Sequence, residues 1–149
     1  MRHVICFGNE LHGDDGFGAA VHRRLAAMPL PADARLFEAG TRGLDALGLF
    51  EGCAEAILVD AAEPAGRPGR LACPEPDACL DEGAATGHGA GLGYLLRALA
   101  ALGAAPRLRI LTAEAAALTP FRPGLSPEVE RAVAPATALL RGWLETRGV

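Results

Sequence analysis

Two hydrophobic periodicities alternate along the chain, one suited to buried strands and one to amphipathic helices. Arg2 to Phe7 (RHVICF) is a short β-branched and apolar run that reads as a buried strand. Ala19 to Ala27 then has helical spacing, with Val21 and Leu25 sharing a face with Phe17. Ala34 to Glu38 (ARLFE) is a second strand, and Leu44 to Phe50 (LDALGLF) a short amphipathic helix after the turn Gly40-Thr41-Arg42-Gly43. Ala56 to Asp60 (AILVD) is apolar throughout and ends on an acid, as expected of a strand covered on both faces of a parallel sheet. Glu63 to Pro76, rich in Pro, Gly and Arg, predicts a long surface loop interrupted by a short edge strand around Arg70 to Cys73. Leu92 to Leu102 is a helix with Leu92, Leu95, Leu96 and Leu99 on one side, and Leu108 to Leu111 a further strand. The last helix starts with Ser126 as N-cap and Pro127 as first helical residue, and runs to about Glu145. Pro135 inside it predicts a kink or break. The alternation specifies an α/β fold, a mostly parallel central sheet with helices on both faces.

Composition narrows the function. A chain of 149 residues can bury one core without staples, so residues 1–149 are expected to form a single domain. The net charge of −4 and the scattered Arg residues argue against nucleic acid, which calls for a clustered basic face. No apolar run approaches a membrane span, and the chain enters its first strand without a signal-peptide cleavage region, so a cytoplasmic protein is expected. Cys6, Cys53, Cys73 and Cys79 are dispersed, with neither CxxC nor zinc-finger spacing, and read as buried free thiols.

The densest chemistry lies in Gly8 to Gly18 (GNELHGDDGFG), a glycine-rich turn joining the first strand to the first helix. It sits at the carboxyl end of a strand, where open α/β sheets place their ligands. A phosphate loop is disfavoured, because Glu10, Asp14 and Asp15 would repel a pyrophosphate and the chain contains no Lys. One acid suffices to cap the helix, so Asp14 is assigned as the cap and Asp15 as the free carboxylate. Asp60, at the end of the third strand, would project from the same sheet edge beside Asp15 if the two strands are neighbours. His88, in Thr86-Gly87-His88-Gly89-Ala90, has small neighbours on both sides and stands just before a helix, which leaves it as either a solvated loop residue or a ligand. His12, in the acidic loop, competes for that role, while His22 is placed on a solvated helix face. Two carboxylates and one imidazole suit Zn, Ni, Mn or Fe and leave positions open for substrate.

Gly8-Asn9, Leu11, Asp14-Asp15, Gly16 and Gly18 resemble the N-terminal signature of the hydrogenase maturation endopeptidases, which trim the large subunit of nickel-iron hydrogenases. The similarity continues through the strand ending at Asp60, Thr86 with His88, the Leu-rich helix, and Gly124-Leu125-Ser126-Pro127-Glu128-Val129. The resemblance implies a three-layer sandwich built on a five-stranded, mostly parallel twisted sheet, with one antiparallel strand near an edge. It implies that Asp15, Asp60 and His88 are metal ligands and catalytic residues. Gly8, Asn9, Asp14 and Gly16 then shape the loop. The implied substrate is the nickel-loaded large-subunit precursor, which loses a C-terminal peptide; zinc or another divalent metal is a further occupant of the site. Glu38-Ala39-Gly40-Thr41 departs from the family pattern, and Glu38, Gly40 and Thr41 fall where the cognate subunit is selected.

The chain lacks HExxH and a Ser or Cys protease apparatus, so the expected chemistry is a nickel-polarised carbonyl or nickel-bound water with a carboxylate as general base. The alternative is a nickel-binding assembly factor that recognises the large subunit without cutting it.

Overall fold

In the computed structural model, which describes residues 1–80, 90–103 and 105–146, five strands form one sheet. They are β1 (Arg2–Phe7), β2 (Ala34–Gly40), β3 (Glu55–Ala62), β4 (Leu71–Ala72) and β5 (Arg107–Glu114), in the spatial order β2-β1-β3-β5-β4. The first four in that order run parallel, and the two-residue β4 pairs antiparallel with β5 at the edge. The helices are α1 (Phe17–Ala26), α2 (Pro76–Leu80), α3 (Ala90–Leu102) and α4 (Pro127–Glu145), with 3-10 segments at Gly13–Gly16 and Gly43–Phe50.

Alternate strand residues feed two cores. Val4, Cys6, Ile57, Val59, Leu111 and Ala113 point to the layer made by α1 and α4, where Phe17, Val21 and Leu25 on one stripe of α1 meet Val129, Val133, Ala136 and Leu140. Ile5, Phe7, Ala56, Leu58 and Ile110 point the other way, against Leu95, Leu96 and Leu99 of α3, Cys79 of α2, and Ala46 and Phe50. Burying each of the larger side chains stabilises the fold by roughly 1.5–3 kcal/mol.

Several boundaries differ from the sequence expectation. β3 continues two residues past Asp60, which pairs with Thr112 within the strand rather than ending it. β5 likewise extends to Glu114, because Ala113 and Ala115 are small enough to be buried where the sequence reads as a featureless Ala-rich patch. The five-residue α2 was not expected. α4 runs unbroken through Pro135, with Ser126 capping it by accepting from the Val129 amide. Pro135 is exposed, so the carbonyl it leaves without an amide donor is on the side water can reach.

The long loop before β4 is tied to β5: Gly69 N–H donates to the Glu114 carbonyl, and Arg67 N–H to the buried Glu114 carboxylate. No disulfide joins the four cysteines.

Candidate functional site

Connections from β1 lead to β2 on one side and, later in the chain, to β3 on the other, so the strand order reverses between β1 and β3. Ligands of open α/β sheets bind in the crevice beyond such a reversal. The loop leaving β1 carries Asp15 and β3 carries Asp60, one on each side of it.

Close backbone approaches dictate the glycines of this loop. Gly8 has φ +116° and lies so near the Asp15 carbonyl that a Cβ would sit 2.1 Å from it. Gly18 brings α1 equally close to the Phe7 carbonyl, again 2.1 Å from a would-be Cβ. The loop then fastens itself: Asn9 N–H donates to Asp15 Oδ2 at 2.8 Å, and Leu11 N–H to Asn9 Oδ1 at 2.9 Å. Asp15 is therefore held by one backbone donor, and its other oxygen accepts no hydrogen bond from the described residues.

Asp14 does not cap α1. The cap position is Gly16, with no side-chain hydrogen bond, and Asp14 is only 2% exposed. Its Oδ1 accepts from Ser126 N–H at 2.7 Å, and its Oδ2 from Ala116 N–H at 2.7 Å, Ser126 Oγ at 2.9 Å and Ala117 N–H at 3.4 Å. The carboxylate thus joins the acidic loop to the β5 exit and to the start of α4. Sequence spacing gives no sign of partners more than 100 residues away. The same contacts commit Ser126 to structure rather than nucleophilic attack.

Asp60 is partly buried and accepts one hydrogen bond, from Ala61 N–H at 2.8 Å. Burial, and then the charge of Asp15, push its carboxyl up to about 7, against a smaller opposing effect of the Ala61 amide. The charge of Asp15 thus opposes ionisation of Asp60, an effect that a bound cation would relieve. Beneath them, the buried Cys6 thiol is raised far above its usual range by burial, then by Glu38 and Asp60, which makes it a poor nucleophile.

This electrostatics sets a pH dependence. Between about pH 4 and 7 the folded protein holds a proton on Asp60 that the unfolded chain has released, so the associated stability is full below pH 4 and is lost as pH rises through 7. Asp60→Asn keeps an acceptor for the Ala61 amide and removes the ionisation. Its melting temperature should exceed that of the native protein at pH 8, with a stability gain on the order of 1–3 kcal/mol, and the gap should shrink below pH 7 and close near pH 4. A gap independent of pH would mean that Asp60 titrates normally.

The exit of β2 lies beside the acidic loop, since Gly8 N–H donates to the Gly40 carbonyl at 2.9 Å. A register shift between Cys6 and Phe7 sets Glu38 opposite Cys6 and Gly40 opposite Phe7. Glu38 and Thr41 are exposed, and Glu38 Oε2 is 4.0 Å from His22 Nδ1, so His22 is partly covered rather than fully solvated. His12 packs edge-on against Phe121, with ring centroids 5.5 Å apart. Thr86 and His88 lie outside the described residues. Among the described residues no three His, Cys, Asp or Glu side chains gather as a metal cage, which leaves Asp15 and Asp60 as a pair. No helix among them is long and apolar enough to cross a membrane.

Comparison with known proteins gives consistent results. The family model for hydrogenase maturation proteases matches residues 19–143. The hydrogenase expression/formation protein HupD of Rhodobacter capsulatus is 29% identical, over 94% of this chain and 71% of its own length. The hydrogenase maturating endopeptidase HybD from E. coli superposes with a TM-score of 0.84 at 26% identity, covering 97% of this chain and 91% of that one. A hydrogenase 2 maturation peptidase from a Thaumarchaeota archaeon gives a TM-score of 0.71 at 32% identity, covering 96% and 97%.

Proposed function

This chain belongs to the hydrogenase maturation protease family and is an endopeptidase, and from that premise we propose that it removes the C-terminal extension of the nickel-loaded precursor of a nickel-iron hydrogenase large subunit. Residues 1–149 act as one cytoplasmic domain in this scheme. The observation that carries it is the pair Asp15 and Asp60 on either side of the strand-order reversal, where the charge of Asp15 opposes ionisation of Asp60 and a cation would relieve it.

Nickel arrives as part of the substrate, already held by the precursor. Asp15, Asp60 and His88 engage it, so the cut is made only after loading; zinc or another divalent ion fits the same donors. Nickel held by these donors would supply Lewis-acid polarisation of the scissile carbonyl or a water. The chain's own residues orient it and take up a proton. One of the two carboxylates takes that proton as general base. Glu38, Gly40 and Thr41, beside the acidic loop at the exit of β2, select the cognate subunit.

The test is incubation of nickel-loaded precursor with native, His88→Ala and His12→Ala enzymes, followed by mass analysis. The native and His12→Ala enzymes should shorten the precursor once at its C-terminus, while His88→Ala leaves it intact and remains folded. An active His88→Ala enzyme beside an inactive His12→Ala enzyme would transfer the ligand role to His12. An unshortened precursor in all three would overturn the proposed substrate.

A further inference from the structure

A groove of about 640 Å³ opens on the α1 and α4 side of the acidic loop. One wall is the loop itself, through Leu11, Gly13 and Gly16; the others come from α1, the connection at Pro123 to Leu125, and Val133 of α4. Gly13 and Gly16 bracket Asp14 and Asp15 in the sequence, so the groove begins at the loop that carries the site. It continues along α1 to Arg24, eight residues on from Gly16, or about 12 Å at the rise of a helix. That length accommodates about four residues of extended chain.

Its surface is mixed. Leu11 is 53% exposed on the rim, and nearby Phe121 is 84% exposed at a left-handed φ of +57°, a conformation that disfavours a bulky side chain. Arg23 is already paired with Glu10 at 2.7 Å, whereas Arg24 and Glu130, which lines the same groove from α4, form no ion pair among the described residues.

We propose that this groove receives the C-terminal tail of the precursor, the segment beyond the cut, as an extended strand with apolar side chains against Leu11, Leu125 and Val133 and an acidic side chain on Arg24. The inference rests on the proposed substrate. Its physical basis is continuity and charge: a chain crossing the Asp15 loop must leave along a surface contiguous with it, and the uncommitted guanidinium offers that chain a carboxylate-binding point.

Initial cleavage rates test it, using nickel-loaded precursor with its own tail and with a Gly/Ser tail of equal length that keeps the residues flanking the cut. On the native tail, the Leu11→Ser, Arg24→Glu double variant should raise KM about tenfold with kcat nearly unchanged. On the Gly/Ser tail the native enzyme should show a similarly raised KM, and the variant should add nothing further. An equal rise on both tails would place the body of the subunit in the groove and overturn the proposal, as would an unchanged KM on the native tail. A native enzyme that cleaves neither precursor overturns the proposed substrate, and the groove's assignment with it.

Discussion

Asp15→Asn is expected to leave the protein folded and to abolish cleavage. The Asp15 carboxylate accepts one hydrogen bond, from Asn9 N–H at 2.8 Å, and an amide oxygen can accept the same bond. The backbone of the loop is set independently by the close approach of Gly8 to the Asp15 carbonyl. What disappears is the negative charge, which metal binding requires. The charge also opposes ionisation of Asp60, so its removal should keep the melting temperature level or raise it slightly at neutral pH. Activity should fall by a factor on the order of 10²–10⁴, the range of a removed acid–base group. A variant cleaving at native rate would sink the carboxylate mechanism at this loop, and one that melted much earlier would give Asp15 a structural role.

Asp14 variants should do the opposite, losing stability first. Four donors from Ala116, Ala117 and Ser126 converge on this buried carboxylate. Asp14→Ala would leave buried donors without an acceptor, at about 1–3 kcal/mol each for those that water cannot reach. A total loss of roughly 3–5 kcal/mol corresponds to a melting point lowered by on the order of 10 °C. Asp14→Asn keeps one acceptor oxygen and turns an NH2 group toward N–H donors, so it should recover only part of that loss. A helix cap would behave differently, since Asn caps as well as Asp and the change would cost only about 0.3–1 kcal/mol of dipole interaction. Thermal melts of both variants decide the matter. An Asp14→Asn protein within about 2 °C of native would restore the capping role.

These two acids show where the sequence is informative and where it is not. The runs RHVICF and AILVD, the stripe of Phe17, Val21 and Leu25, and Ser126-Pro127 each carry their structure in neighbouring residues, and each forms as expected. The alternation of strands and helices carries the mostly parallel sheet with helices on both faces, whereas the count of five strands comes from the family resemblance, and the adjacency of β1 and β3, an open condition in the sequence, is supplied by the sheet order. Asp14 could not be read in this way. A short acid before a helix looks like a cap whatever its partners, and its true partners come from a connection in the last third of the chain. Pro135 misled for a related reason, because its effect depends on whether its face of α4 is buried, which tertiary packing decides. The extension of β3 past Asp60 likewise required β5 alongside, where Ala61 and Ala62 pair with Ala113 and Glu114.

In the proposed mechanism the acidic pair meets a metal carried by the substrate. The decisive measurement is the initial rate of C-terminal shortening by the native enzyme on two otherwise identical precursors, one loaded with nickel and one metal-free, in a chelator-treated buffer. Cleavage of the loaded form is expected, with a rate at least about 100-fold lower for the metal-free form. Equal rates on both would contradict that mechanism.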